Sequence, residues 1–355
     1  MDAQSVAVAL VPREVFSTTQ RSVETLFARP TGLSGPGSLK VVAVDGASPP
    51  GVRDYLEQAS AAHGFTLLRS DRYLTPNEGR NLAANEAFRD PAVRHVVFVD
   101  NDVLVSPGWL GALVRCADET GAWVVGPAYY EHLPEEACLH MVGGECRIEQ
   151  HADGRREYVE IHRHAHKRAD EVTEPLVRHE TKLIEFHTAL VSREAWERLG
   201  GLDDLLPCGG EHGDFCLTVQ EAGGSIWIEP EAKITYAPPK RLAREDRAFF
   251  FLRWSEARLR ANRERFAAKW GLGTTRYDRG RAIKWLTQHR RYGYESLARL
   301  ERWVGRRWRN RFERKVFAPI ERIVNRLQYP YAKYGHRTPP AVEVVHRRPT
   351  LADAA

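Results

Sequence analysis

The chain has 355 residues, of which 43% are hydrophobic and 28% are charged, enough for one large or two modest globular domains. It contains no run of 18 apolar residues, and its N-terminus has no basic flank, so we expect neither a transmembrane helix nor a signal peptide. The five cysteines are scattered without Cys-x-x-Cys spacing, which argues against a disulfide framework or a cysteine zinc site and predicts reduced thiols in a cytoplasmic protein.

The net charge of +5 hides an asymmetry along the chain. Residues 279–326 contain 15 Lys and Arg against 4 Asp and Glu, whereas the remainder contains 37 against 43. The basic character therefore belongs to the C-terminal part, and the rest of the chain is acidic.

Strand and helix patterns alternate through the first 128 residues. Apolar runs predict strands at residues 6–11, 39–44, 65–68, 96–99 and 123–125. Helical patterns fall between them, the last beginning at Pro107 with Ser106 as its N-cap. This spacing predicts an α/β fold with a mostly parallel sheet flanked by helices. No Gly-x-Gly-x-x-Gly follows the first strand, which argues against an NAD-type domain.

The fourth of these strands ends in two carboxylates, Asp100 and Asp102, separated by Asn101. Open α/β sheets bind their ligands at the carboxyl ends of the strands. Two hard oxygen ligands one residue apart can share a divalent cation that also binds phosphates. The same pattern also fits an ordinary acidic turn after a strand.

Residues 130–180 interrupt the alternation and are rich in His, Glu and Arg. His162, His164 and His166 would share one face of a strand, where they could bind a metal, but an exposed polar hairpin is the favoured interpretation. Regular structure returns with strands at residues 183–191 and 225–228. Helices are predicted at residues 193–199, before about residue 222, and over residues 245–270.

Four segments, in this order, resemble the family 2 glycosyltransferases of the GT-A fold. They are the turn at Asp45 in Val-Val-Ala-Val-Asp-Gly-Ala-Ser, Gly79-Arg80-Asn81, Asp100-Asn101-Asp102, and Gly209-Gly210-Glu211-His212-Gly213-Asp214. The resemblance covers roughly residues 5–270. It implies a GT-A domain over residues 1–272, with a nucleotide-sugar-binding half (1–128) and an acceptor-binding, catalytic half (129–272). A basic helical extension and flexible tail would follow (273–355).

The resemblance implies transfer of a hexosyl unit, with inversion, from a UDP- or other NDP-linked donor. The acceptor would be a hydroxyl of a glycan, a lipid-linked molecule or a small molecule, as in bacterial-type cell-envelope glycans. Mn²⁺ or Mg²⁺ would be held by Asp100 and Asp102. Asp45 would accept hydrogen bonds from the donor base, and Arg80 would contact phosphate. The other implied donor-site residues are Pro12, Arg13, Glu14, Asn81 and Asn101, with Asp100 also reaching the ribose.

The general base is where the sequence departs from the family, which usually has Glu-Asp and uses the second residue to deprotonate the acceptor. This chain has Glu211-His212 at that place, and Asp214 follows two residues later. Imidazole is a competent base near neutral pH, so His212 is one candidate. Glu211 and Asp214 are the others, and His212 could instead ligate the metal.

Three other classes compete with this interpretation. A nucleotidyltransferase shares the layout and the acidic pair, but usually has a Gly-rich basic loop after the first strand, which is missing here. A nucleic-acid-binding protein would use the arginines around Trp303, Trp308 and Phe312, yet no recognised motif appears and the body is acidic, so no nucleic acid is expected. The third alternative is a GT-A-like pseudoenzyme.

Residues 296–327 carry apolar side chains every three or four positions, with arginines between them. These side chains are Leu300, Trp303, Val304, Trp308, Phe312, Val316, Ile320, Ile323, Val324 and Leu327. The pattern predicts an amphipathic helix that Pro319 divides. Its apolar face would either lie peripherally on the inner face of an anionic membrane or pack on protein, including a second subunit of a homo-oligomer.

Overall fold

A computed structural model describes residues 5–34, 39–273, 276–293 and 295–348, and gives the side-chain surroundings of all of these except 276–279 and 295–301. The strands are β1 (Val6–Val11), β2 (Lys40–Asp45), β3 (Thr66–Ser70), β4 (His95–Asp100), β5 (Val103–Val105), β6 (Val124–Glu131), β7 (Cys138–Met141), β8 (Gly144–Gln150), β9 (Arg156–His162), β10 (His179–Thr181), β11 (Thr188–Ser192), β12 (Ile226–Tyr236) and β13 (Val342–His346). The α-helices are α1 (Thr19–Ala28), α2 (Pro50–His63), α3 (Pro76–Ala87), α4 (Trp109–Thr120), α5 (Arg193–Leu199), α6 (Glu211–Glu221), α7 (Arg247–Arg253), α8 (Glu256–Trp270), α9 (Arg276–Arg290), α10 (Glu295–Phe312), α11 (Ala318–Gln328) and α12 (Tyr331–Tyr334).

Eleven of the strands in the described ranges form one sheet, ordered β10-β12-β6-β11-β4-β1-β2-β3-β13, with β5 beside β12 and β7 beside β6. The pairs β1–β2, β1–β4, β2–β3 and β6–β12 are parallel, and β11 runs antiparallel between β4 and β6. Six strands, β12, β6, β4, β1, β2 and β3, therefore point the same way. The predicted α/β fold with a mostly parallel sheet is confirmed.

Strands β1 and β4 are parallel neighbours in the centre of the sheet, and the residues at their carboxyl ends lie at the same edge. Every residue of both strands is buried, as expected where helices cover both faces of a parallel sheet. The parallel register aligns Val11 with Asp100 across β1 and β4. Asp45 ends the neighbouring strand β2. The polar residues that follow these three strands are consequently brought together.

Helix α4 begins later than the sequence predicts, at Trp109, with Gly108 rather than Ser106 at the N-cap position. Gly108 adopts φ +79 and donates a backbone hydrogen bond to Pro30. The loop before β2 lies so close to the first helical turn that a Cβ on Gly111 would fall 2.3 Å from a backbone oxygen of Gly32. Packing against this loop, and not Ser-Pro capping, sets the start of the helix.

Two other predicted elements are shorter than expected. The strand predicted at residues 183–191 is reduced to β11, because residues 183–187 turn toward the carboxyl edge before pairing begins. The single helix predicted over residues 245–270 is divided into α7 and α8. Ser255 caps α8 by accepting a hydrogen bond from the backbone N–H of Arg258, which explains the break.

The insertion at residues 130–180 contains the predicted hairpin, formed by β8 and β9 as a separate two-stranded sheet. Its outward positions are exposed. Its end at His162, however, is only partly exposed and borders the carboxyl edge of the main sheet.

The C-terminal extension is helical, as predicted, and Pro319 lies in the first turn of α11 after a π-helical turn at residues 313–317. The backbone stays helical from this turn into α11, so the π-helical turn is the only irregularity in the described residues next to this proline, where the sequence predicts a kink or a division. A further break lies at Gly305, which has non-helical φ and ψ angles inside α10. None of the helices in the described part of the chain has the length and apolar composition needed to cross a bilayer.

Residues 342–346, assigned to a flexible tail by the sequence, form β13 against β3. The physical reason is that β3 would otherwise present an unpaired edge. Two side-chain contacts fix the strand: His346 Nδ1 lies 2.7 Å from the Phe65 carbonyl oxygen, and the Arg348 N–H donates to Thr66 Oγ1 at 3.1 Å.

A chain ending at residue 339 should therefore be less stable than one ending at residue 348. Loss of β13 exposes the backbone of β3, and we expect the unfolding temperature to fall by roughly 3–8 °C, with increased aggregation on heating. Differential scanning calorimetry and light scattering on the two chains measure this. Equal unfolding temperatures would show that β13 contributes nothing to stability.

Candidate active site

Two carboxylates are buried at the end of β4, and two arginines balance their charge. Asp100 and Asp102 are 0% and 2% exposed. Arg80, on α3, donates to Asp100 Oδ1 at 2.7 Å. Arg13, which follows β1, places its guanidinium 3.5 Å from Asp100 Oδ2 and 3.7 Å from Asp102 Oδ2. Buried carboxylates need such partners, because an uncompensated charge in the interior is strongly destabilising.

Several side-chain oxygen and nitrogen atoms at this edge nevertheless have no hydrogen-bond partner. They are Asp100 Oδ2, both carboxylate oxygens of Asp102, and His187 Nδ1, all buried. One ligand atom from each of the three residues lies within 4.8 Å of the others, and His187 Nδ1 is 3.6 Å from Asp100 Oδ2. Two carboxylates and an imidazole that converge in this way fit a divalent cation such as Mn²⁺ or Mg²⁺.

The surroundings of these residues also set their protonation. Burial lowers the pKa of His187 well below its usual range, and the nearby Arg13 acts in the same direction. The imidazole is therefore neutral, which is its metal-binding form. Burial raises the pKa of Asp102 to about 7, against the opposing charge of Arg13.

His187 was not predicted from the sequence. It immediately precedes β11, and its carbonyl oxygen accepts a hydrogen bond from the backbone N–H of Asp100. Only the antiparallel pairing of β11 with β4 brings it beside the acidic pair. No local sequence signal distinguishes it from the other histidines.

Asp45 is the last residue of β2, which flanks β1 on the side away from β4. Its carboxylate accepts hydrogen bonds from Arg69 Nε and from the Ser48 N–H, both at 2.8 Å. Together with Pro12 and Asn101 it lines a narrow cavity between the ends of β1 and β2. This is where the sequence places the donor base, and that role stays a prediction.

Three of the predicted donor-site residues make bonds that hold the surrounding loops. The side chain of Asn101 accepts from the backbone N–H of Arg13 and donates to the Val15 oxygen. The side chain of Asn81 exchanges two hydrogen bonds with the backbone of Leu202. Glu14 accepts from Trp254 Nε1 at 2.9 Å and from Tyr236 Oη at 3.2 Å. Direct contact of these side chains with a nucleotide stays a prediction.

The three candidate bases occupy the first turn of α6 and have different surroundings. Asp214 accepts from Lys269 Nζ and from Trp270 Nε1, both at 2.8 Å, and so ties α6 to α8. Both of its oxygens are used. This carboxylate holds two helices together and is not free to accept a proton from a substrate.

His212 lies between two carboxylates. Its Nε2 is 3.2 Å from Glu160 Oε2, and its Nδ1 is 3.4 Å from Glu185 Oε2. Burial alone would lower the pKa of His212, but Glu185 and Glu160 raise it to about 10. An imidazolium at neutral pH has no lone pair to offer, so these surroundings do not support His212 as the base or as a metal ligand.

Glu211 is ionised and keeps one oxygen unpaired. Its Oε1 lies 3.3 Å from Arg253 Nη2 and 4.0 Å from Arg80 Nη1, and its buried Oε2 has no hydrogen-bond partner. Burial would raise the pKa of Glu211, but Arg253 and Arg80 lower it below the usual value. Because Arg80 also contacts Asp100, a single guanidinium lies between Glu211 and the carboxylate of Asp100.

In the comparison with protein families, the model of Glycosyl transferase family 2 matches residues 10–195. The chain belongs to glycosyl transferase family 2. The match spans the edge that carries Asp45, Asp100 and Asp102 and ends before Glu211. The predicted family is confirmed, and the α/β architecture is the one expected of its GT-A fold. The comparison with curated proteins gives no match.

Solved structures of partly similar shape include three that are 12–15% identical to this chain. GalNAc-T7 with UDP, GalNAc and Mn²⁺ is 14% identical at a TM-score of 0.47, with 70% of this chain covered. The mannosyltransferase PcManGT from Pyrobaculum calidifontis, in complex with GDP-Man and Mn²⁺, is 15% identical at 0.45, with 93% of this chain and 84% of that chain covered. S. aureus TarS is 12% identical at 0.43, with 82% of this chain covered. This family 2 chain spans 48% of the GalNAc-T7 chain and 44% of TarS.

The family 2 domain also has a second group of titratable side chains at this edge, which the sequence analysis largely missed. It consists of His140 on β7, Glu160 and His162 on β9, and Glu185 before β11. His162 was singled out as part of an exposed hairpin, yet its side chain is only 23% exposed. Folding of the insertion against α6 brings these residues together, which no local pattern indicates.

The charge of His212 can be tested through stability. Because the folded-state pKa of about 10 exceeds the ordinary histidine value of 6.5, protonated His212 stabilises the folded protein fully below pH 6.5, and the contribution is lost as pH rises through 10. His212→Gln should therefore lower the free energy of unfolding by about 2 kcal/mol near pH 6.5. The difference from wild type should shrink toward pH 10.5.

The measurement is urea denaturation of both proteins in chelator-containing buffer at several pH values. A difference that is constant across this range would mean that His212 is uncharged in the folded state.

Proposed function

We propose that this family 2 protein is an inverting, metal-dependent glycosyltransferase that moves a hexosyl unit from a nucleoside diphosphate donor to a hydroxyl acceptor. The convergence of unpaired atoms of Asp100, Asp102 and His187 at the carboxyl edge of the sheet is the observation that carries the proposal. Asp45 and the narrow cavity beside it lie at the same edge, on the side expected to receive the donor nucleotide.

In this proposal Asp100, Asp102 and His187 hold the divalent cation. When bound, the cation neutralises the charge that develops on the departing nucleoside diphosphate. Arg13 adds a positive side chain at the same edge, where it lies against the two carboxylates and the ring of Tyr236. Burial raises the pKa of Asp100, and Arg80 opposes that rise while it holds the carboxylate in place.

We assign the general base to Glu211. As the acceptor oxygen attacks the anomeric carbon, Glu211 Oε2 takes the hydroxyl proton, and the bond to the diphosphate oxygen breaks in the same displacement. Attack opposite the leaving group inverts the anomeric centre. Glu211 is favoured over His212 and Asp214 because it alone of the three is ionised and has an unpaired oxygen.

Asp102→Asn should abolish metal-dependent transfer while leaving the fold intact. The substitution keeps the shape of the side chain but removes the charge that binds a cation. We expect at least a 10²-fold loss of nucleoside diphosphate release from a panel of UDP and GDP sugars with Mn²⁺ present. Asp54→Asn, on the exposed surface of α2, is the matched control. If wild type still released nucleoside diphosphate after a chelator had removed all divalent cations, the metal assignment would be contradicted.

Glu211→Gln tests the base. We expect kcat to fall by about 10²–10⁴-fold, with Mn²⁺ binding unchanged. Glu221→Gln, at the exposed end of the same helix, should behave as wild type. NMR of the product sugar then reports its anomeric configuration. Retention of configuration, or full activity of Glu211→Gln, would refute the proposed displacement, and release of pyrophosphate would indicate nucleotidyl transfer.

We further propose that the enzyme works at an anionic lipid surface, on which α10 and α11 lie. The inner face of α11 is bound to the catalytic domain, since Arg322 and Arg326 pair with Glu256 and Glu321 pairs with Arg290. The opposite face is exposed. The apolar stripe on the outer face of α10 and α11 has exposed fractions from 40% to 87% and comprises Trp303, Val304, Trp308, Phe312, Val316, Ile320, Ile323, Val324 and Leu327.

Charge favours lipid over a second copy of the chain as the occupant of this stripe. Between residues 302 and 326 the helices carry nine basic side chains, of which seven remain when Arg322 and Arg326, paired with Glu256 on the inner side, are left out. The two acidic residues of that range, Glu313 and Glu321, are paired with Arg291 and Arg290 on the inner side. A surface this basic repels its own copy, whereas each Lys or Arg near anionic lipid adds about 1 kcal/mol of attraction.

Replacing the exposed side chains Trp303, Ile323 and Leu327 by Ser should abolish flotation with anionic liposomes without lowering the unfolding temperature. Wild-type binding should weaken as salt is raised, because exposed charges are screened over ~8–10 Å. Point variants are preferred to truncation, which would also remove β13. Absence of wild-type flotation on anionic vesicles at low salt, or a dimeric mass that the triple variant loses, would refute the lipid proposal.

A further inference from the structure

A nitrogen-rich group of side chains lies beside the proposed donor site. His140 comes from β7, His162 from the end of β9 and Glu185 from the loop before β11. One ligand atom of each lies within 4.8 Å of the other two. Glu185 Oε1 is 3.7 Å from His140 Nε2 and 3.9 Å from His162 Nε2. We call these three residues the His-His-Glu cluster.

Hydrogen bonds to residues outside the cluster hold its members, but none joins Glu185 to either histidine. Both separations from Glu185 are longer than a hydrogen bond, and His140 Nε2 is buried without a partner. Ligand atoms bound at 2.0–2.2 Å to a tetrahedral zinc ion lie roughly 3.3–3.6 Å from one another. The two separations from Glu185 exceed this spacing by a few tenths of an ångström, and all three ligand atoms lie within 4.8 Å of one another, so zinc binding requires the side chains to move closer together.

The surroundings of the other ring nitrogen of His140, Nδ1, support the same interpretation. Its Nδ1 lies 3.4 Å from Glu131 Oε2, on β6. Histidines that bind metals usually donate their other ring N–H to a carboxylate, which fixes the ring orientation and raises the basicity of the ligand. Glu131 is itself held by His166 Nδ1 at 2.8 Å, so its carboxylate is anchored from outside the cluster.

We propose that the His-His-Glu cluster is a second cation site, specific for Zn²⁺, and distinct from the site of Asp100 and Asp102. The two donor sets differ in chemistry. The acidic pair with His187 is rich in hard oxygen and suits Mn²⁺ or Mg²⁺, whereas two imidazoles and one carboxylate suit zinc. Three protein ligands leave one position of a tetrahedral ion open for water or a substrate oxygen, as in catalytic zinc sites.

A metal-free network is the competing arrangement. His162 Nε2 also lies 2.8 Å from Glu160 Oε1, and Glu160 Oε2 contacts His212. Burial would lower the pKa of His140, but Glu131 and Glu185 raise it to about 9, so without metal this histidine carries an extra proton at neutral pH. Zinc at the cluster must displace that proton and also the one shared by His162 and Glu160. Zinc binding distinguishes the two arrangements, and it can be measured without measuring sugar transfer.

The test is titration of the full chain, stripped with a chelator and dialysed, with Zn²⁺ by calorimetry and with Co²⁺ by visible absorption. We expect one Zn²⁺ site that the Asp102→Asn protein retains, and Co²⁺ bands of tetrahedral intensity. The double change His140→Gln with His162→Gln should weaken Zn²⁺ binding by at least 100-fold, and Glu131→Gln by about 10–100-fold.

His151→Gln, on the loop between β8 and β9, is the matched control and should bind Zn²⁺ as wild type does. Circular dichroism verifies that each variant is folded. The proposal is overturned if wild type binds no Zn²⁺, if the double variant binds it unchanged, or if Asp102→Asn removes the binding. None of these outcomes bears on whether the protein transfers a sugar.

Discussion

The cost of burying Asp100 and Asp102 at the end of β4 governs the architecture around them. Two carboxylates this close, both removed from water, repel each other and lose hydration that only opposite charge can offset. Arg80 supplies the tighter compensation, at 2.7 Å from Asp100, and its guanidinium lies over the ring of Phe186. The capping box of Thr75 and Glu78 fixes the start of α3 and thereby the position from which Arg80 extends.

Arg13 contributes differently. It lies 3.5–3.7 Å from both carboxylates, beyond good hydrogen-bond distance, and comes from a loop instead of a helix. Both carboxylate oxygens of Asp102 are buried and have no hydrogen-bond partner. A divalent cation that entered there would take over the charge compensation that Arg13 now provides.

The sequence predicts the first half of this site well, because its signals are local. Apolar runs mark β1, β2 and β4, and parallel pairing brings the residues that follow them to one edge. The rest depends on contacts between distant segments. His187 joins the acidic pair through antiparallel pairing of β11, and the charge of His212 depends on Glu160, 52 residues away, and on Glu185. Asp214 was a candidate base by spacing alone, but α8 supplies Lys269 and Trp270 to occupy it.

The helical extension is joined to the site by contiguous packing. Glu321 of α11 binds the fully buried Arg290, whose guanidinium donates to the Trp254 carbonyl oxygen. Trp254 Nε1 donates in turn to Glu14, which adjoins Arg13. Each link is a hydrogen bond or an ion pair between elements with buried contacts, so α11 is tied to the loop that carries Glu14 and Arg13. The inner face of α11 thus belongs to the same contact network as the carboxyl edge of the sheet, while its apolar outer face stays exposed.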